Sequence, residues 1–92
     1  MSIYNIPRCL SPHVPTPVDQ CERLEWGEPR AQERVRVVAW TCDCTSPVYE
    51  LCASGGQWFI RRTTDAVEES RQWPLWHEAQ AMWSALLMGQ VR

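Results

Sequence analysis

The hydrophobic and polar positions divide the chain into a proline-broken front, a middle of alternating segments and one helical stripe at the end. The stripe is the clearest signal. From Pro74 to Met88 the apolar residues Leu75, Trp76, Ala79, Met82, Trp83, Leu86 and Leu87 fall at spacings of three and four, the period of an amphipathic helix. Pro74 suits a first helical turn and Gly89 a left-handed stop. Trp73 cannot accept a hydrogen bond from the first amides, so the start lacks a side-chain cap.

Three segments before it alternate with period two or are rich in β-branched and aromatic residues. These are Glu33–Cys42, Val48–Ala53 and Gln57–Thr63, each predicted as a strand. Asp43–Pro47 predicts a turn, and Ser54-Gly55-Gly56 a hairpin connection, since glycine tolerates the positive φ such turns need. Val67–Gln72 predicts a short polar edge strand guarded by charge. Cys21–Trp26 is a weaker strand candidate that Gly27-Glu28-Pro29 breaks. The expected fold class is α+β: an antiparallel meander of three to five strands with one C-terminal amphipathic helix packed on one face.

A two-residue Gly-Gly loop sets the register of the central hairpin. It places Cys52 opposite Phe59, Glu50 opposite Arg61 and Leu51 opposite Ile60. A turn centred near Ser46 places Trp40 opposite Cys52 and Cys42 opposite Glu50. Opposed residues share a face and neighbours alternate. One face then holds Val35, Val37, Ala39, Tyr49, Leu51, Ala53, Trp58 and Ile60, and should meet the helix. The other holds Arg34, Arg36, Trp40, Cys42, Cys44, Glu50, Cys52, Phe59 and Arg61. A slip of one residue would exchange the two sets.

Residues 1–20 form a proline-rich arm, with Pro7, Pro12, Pro15 and Pro17 close together, and residues 21–92 the single α+β domain. Proline opposes both helix and central strand, so the arm should be extended. Ile3, Tyr4, Ile6 and Leu10 give it apolar material to dock with, and the mixed sheet face is where they would go.

Composition adjusts this outline. The chain of 92 residues carries six tryptophans, which give a short chain an efficient core. The net charge of −2 argues against a bulk polyanion partner. Every basic residue is Arg and none is Lys; GC-rich coding is the plainest cause. Tyr4, Asn5, Pro7 and Arg8 interrupt any apolar signal core, and no run reaches membrane-spanning length. With five cysteines, an odd count, reduced thiols in a cytoplasmic setting are expected.

Two kinds of chemistry are open to these residues. Cys42-x-Cys44 on a strand would put both sulfurs on one side, with Cys52 on the same face and Cys9, His13 or Cys21 arriving from the arm. Thiolate plus imidazole is a zinc ligand set. Ordinary buried thiols are the commoner alternative. Catalysis has less to stand on: His13 and His77 are the only histidines, and neither adjoins a cysteine or serine in sequence. No enzyme is expected.

A meander followed by one helix, over about Val48–Val91 with an EAQAMW-type helix, resembles the small sheet-reading DNA-binding domains of tyrosine recombinases and AP2-type factors. The resemblance implies an exposed sheet face in the major groove, here carrying Arg34, Arg36, Arg61, Trp40 and Gln57. The chain departs from it in charge, with Glu33 and Glu50 among those arginines, whereas phosphate contacts usually supply much of the affinity. The stretches VRVVAWTCDC, VYELCASGGQWFIRRT and EAQAMWSALLMG also resemble small proteins of high-GC actinobacteria and their phages, which implies a habitat and no activity.

The expected function is a non-enzymatic cytoplasmic binding module for a protein partner or a second copy of itself. Its binding face would be Arg34, Arg36, Trp40, Glu50, Phe59 and Arg61. A nucleic acid ranks second as partner, and a zinc-stabilised structural module third. No membrane partner is expected.

Overall fold

The structure, a computed structural model, describes residues 12–15, 21–30, 34–44 and 46–92. Among these residues four strands, β1 (Arg36–Trp40), β2 (Val48–Ser54), β3 (Gln57–Thr63) and β4 (Val67–Glu69), precede one helix, α1 (Trp76–Leu87). The strands form one antiparallel sheet in the order β1-β2-β3-β4, the expected meander. Among the described residues no helix is long and apolar enough to cross a membrane.

The central hairpin has the register the Gly-Gly loop implies. Ser54 pairs with Gln57, Cys52 with Phe59, Leu51 with Ile60 and Glu50 with Arg61. Gly55 and Gly56 have φ of 57° and 77°, the left-handed conformation that a two-residue hairpin turn requires.

The β1–β2 register differs from expectation. Trp40 pairs with Glu50 and Ala39 with Leu51, but Val37 pairs with Cys52 and Arg36 with Ala53. Val38 is therefore an extra residue, a β-bulge that reverses the alternation upstream of it. Val37 moves to the mixed face, and Arg36 leaves it for the face of Ala53. The strand is also shorter than Glu33–Cys42, because Thr41 takes over its end. The Thr41 amide donates to the Tyr49 carbonyl at 2.8 Å, and its hydroxyl accepts from the Tyr49 amide at 2.9 Å. A side chain thus stands in for a ladder carbonyl, and the backbone is released to turn.

The apolar face meets the helix as predicted. Tyr49, Leu51, Ile60, Trp73, Ala79, Trp83, Leu86 and Val91 form the buried core, with Val14, Leu24, Trp26 and Trp58 packed against it. Trp58 on β3 meets Trp76 on α1 at a centroid distance of 4.7 Å, the planes tilted by 55°. The helix starts two residues later than Pro74. Leu75 is the N-cap, in extended conformation and with no side-chain hydrogen bond. At the far end Gly89 has φ 75°. Its amide donates to the Leu86 carbonyl, and that of Gln90 to the Ala85 carbonyl, the paired bonds of a Schellman stop.

The segment Cys21–Trp26 makes bridges in place of a strand. Glu22 pairs with Val91 in parallel, and Gly27 with Glu69 antiparallel. The Leu24 amide donates to the Arg92 carbonyl at 2.8 Å. Residues 21–30 thus strap the tail after α1 to the edge strand β4.

Candidate metal centre and the mixed sheet face

The release of the chain at Thr41 builds the first site. Cys42 follows immediately and is buried; its amide donates to the Pro12 carbonyl at 2.9 Å. That bond draws the 12–15 segment against the end of β1 and sets His13 beside the turn. Asp43 and Cys44 are in a turn, so the two sulfurs converge by chain reversal and not by strand alternation as expected. The Cys44 amide lies 3.4 Å from the Cys42 sulfur as its donor, and His13 Nε2 lies 3.1 Å from the Cys44 sulfur. The donor atoms of His13, Cys42 and Cys44 are all within 4.8 Å of one another.

These distances suit a thiophilic ion. Zn–S bonds of about 2.3 Å and Zn–N bonds of about 2.0–2.1 Å place neighbouring tetrahedral donors roughly 3.5–3.8 Å apart. His13 and Cys44 are exposed, so their side chains have room to adjust to such distances. The Cys44 amide aimed at the Cys42 sulfur is the kind of outer hydrogen bond that orients and stabilises a ligating thiolate. The His13–Cys44 pair alone has the geometry of an imidazole-activated thiol. The adjacent Cys42 sulfur has no role in that arrangement, whereas chelation uses all three groups.

The other cysteines expected in this set are elsewhere. Cys52 is fully buried in the sheet, and its thiol points to the Glu50 carbonyl at 3.8 Å. Burial pushes that thiol up to about 11, against a lowering by the Arg61 guanidinium and a further rise from Glu50 and Glu69. Cys21 lines a groove with Ala81, Met82 and Ala85 of the helix. Cys9 lies outside the described residues, as do Ile3, Tyr4, Ile6 and Leu10.

The mixed face is less open than expected. Phe59 and Cys52 are both 0% exposed, so Phe59 is no part of an accessible binding surface. Arg30, unremarked in the sequence, stands over the Phe59 ring at 5.7 Å. The amide of Arg30 donates to Glu69 Oε1 at 3.0 Å, its Nε lies 3.5 Å from the same oxygen, and Nη2 donates to the Ser70 carbonyl. Glu69, which reads in the sequence as a solvated edge charge, is 3% exposed. No local pattern announces this pair, because its members are 39 positions apart.

Around that sealed centre, Arg61 bonds Glu50 at 3.4 Å. Trp40 remains 53% exposed. Arg34 is exposed just ahead of β1, and Arg36 is exposed but on the opposite side of the strand. Of the six residues expected on one face, Trp40, Glu50 and Arg61 stay together on its accessible part. His77 is exposed on α1.

Comparison with protein-family models, with characterised proteins and with solved structures finds no match to this chain.

Proposed function

We propose that this chain is a small zinc-stabilised binding module. His13, Cys42 and Cys44 hold the ion, and the ion fixes the proline-rich 12–15 segment to the end of β1. The observation that carries this is the convergence of one imidazole and two thiols to within 4.8 Å, where the 12–15 segment meets the end of β1 through the backbone bond from Cys42 to Pro12. A small domain with a modest core commonly gains its missing stability from such a centre. Water or a further donor completes the coordination.

The module's task is to contact a protein partner, and the surface beside the metal is suited to it. Trp40 is two residues from Cys42 and half exposed, with the Glu50–Arg61 pair as a polar rim. A protein fits this surface better than nucleic acid does. Arg61 is already paired with a carboxylate, Arg36 faces the other way, and the chain as a whole is acidic.

The metal is tested on protein purified without chelator. About one zinc per chain is expected by mass spectrometry, with a lower Tm after chelation that zinc restores. Cobalt should give the intense thiolate-to-metal absorption band, and Cys44→Ser should remove it. Metal well below one per chain, together with melting unchanged by chelator, would sink the assignment.

A further inference from the structure

On the side of the molecule where the strap meets the core, residues 14–15, 23–24, 26, 46–47 and 92 and the ends of β2 and β3 enclose an open-mouthed cleft of about 680 Å³. This volume falls in the range of small-molecule sites, about 300–1,000 Å³. Trp26, Pro47 and Tyr49 give it apolar walls, and Arg23, Arg62 and Arg92 line it with guanidinium groups. Among the described residues no Asp or Glu lines it. That is against the balance of a chain with 11 acidic and 9 basic residues.

The wall is short of acceptors. The Arg62 guanidinium stacks on the Trp26 indole at 4.3 Å. Among the described residues, Arg62 Nε and Trp26 Nε1 are both buried without a hydrogen-bond partner. Both atoms are donors, and a buried donor left unmet is a cost that an acceptor on a ligand can remove. Among the described residues, Arg62 meets a carboxylate through Nη2, on Glu68 at 2.7 Å. Burial raises the Tyr49 phenol above its ordinary value, against a lowering by the charge and hydrogen bond of Arg62 and by the charge of Arg92, and its protonated hydroxyl is a further donor.

We infer that this cleft binds a small organic anion: an aromatic body against Trp26, Tyr49 and Pro47, with a carboxylate or phosphomonoester head among Arg23, Arg62 and Arg92. The chemistry follows from the residue types. Guanidinium groups recognise both heads through paired N–H donors, and flat apolar walls accept a ring. Arg62 is held in place by the indole and by Glu68, so it is pre-oriented. Arg23 and Arg92 are exposed and would close on the bound head. The arginine head site shares no residue with the His13–Cys42–Cys44 centre, although Val14 and Pro15, next to His13, form one wall of the cleft.

The test is titration of the whole chain with phenyl phosphate, benzoate, inorganic phosphate and benzyl alcohol, followed by NMR at the Trp26 indole N–H. At least one of phenyl phosphate and benzoate should shift that resonance saturably, and the tighter of the two identifies the head. Benzyl alcohol should be at least tenfold weaker. The double variant R23E/R92E, at two exposed positions, should lose at least tenfold in affinity while its Tm stays near that of the parent, and R23K/R92K should recover part of the loss. The assignment is overturned if neither aromatic anion shifts the resonance, if benzyl alcohol binds equally well, or if R23E/R92E binds like the parent. Inorganic phosphate binding as tightly as phenyl phosphate would also overturn it, since the ring would then contribute nothing.

Discussion

At the scale of single residues, burial decides chemistry. Cys52 and Cys44 are both thiols, but one is sealed in the sheet and the other stands exposed beside an imidazole. For Cys52 this has a consequence in alkali. The native thiol keeps its proton to about 11, while the unfolded thiol loses it near 9.0. Between those values the unfolded state gives up its proton first, so stability is complete below about pH 9 and falls as the pH rises toward 11. Tyr49, raised from 10.0 by burial, acts with the same sign at higher pH. The expected loss from Cys52 is on the order of 2 kcal/mol. Urea unfolding at pH 8 and at pH 10.5 measures it, and Cys52→Ala should flatten the difference, whatever it costs at pH 8.

Elements differ in how far local sequence determines them. Where the rule is local, the chain is legible. Gly55-Gly56 sets the β2–β3 register, and the stripe from Leu75 to Leu87 marks the helix. The Val38 bulge is not legible, because a run of valines alternates equally well with or without an inserted residue. Its effect is large: Arg36 changes face. Arg30 and Glu69 escape for a different reason. Each has the local appearance of surface charge, and only the path of the 21–30 strap brings them together over Phe59. The metal trio lies between these cases. The Cys42-x-Cys44 pair is visible in the sequence, but that His13 joins it, and Cys52 and Cys21 do not, depends on where the Pro12 carbonyl docks. The helix start invites a change that tests the cap argument. Leu75 is half exposed, extended and uncapped, and Glu78 stands three residues on. Leu75→Ser completes a capping box and should raise stability by about 1 kcal/mol. Thermal melting reads this directly, and an unchanged or lower Tm would mean that Leu75 contributes more by packing than its exposure suggests.

For the whole molecule, the sheet's two faces have unequal tasks. The helix face makes the core. The other face is closed at its centre by Phe59 and Cys52, and leaves Trp40 with the Glu50–Arg61 pair at its open margin. Trp40 keeps about half its surface in water and adds less to folding than a core aromatic does, so Trp40→Ala should cost no more than about 1 kcal/mol. The same substitution should abolish capture of a protein partner that the parent chain retains. A large fall in Tm instead would identify Trp40 as part of the fold and remove the reason for placing a partner there.

The parallel bridge between Glu22 and Val91 joins residues about three quarters of the chain length apart, and this sets an order of events. The β2–β3 hairpin needs only neighbours in sequence, so it can form early and fast. Gly27 and Arg30 can already meet Glu69, but the Glu22–Leu24 half of the strap has nothing to pair with until residues 90–92 have been made. During synthesis, then, the meander can assemble before the Arg92 side of the cleft is in place, and the Glu22–Val91 bridge follows it. Contacts of such long separation slow folding more than they alter stability. A late kinetic phase, seen in the Trp26 signal and absent from the hairpin amides, would be the trace of that closing bridge.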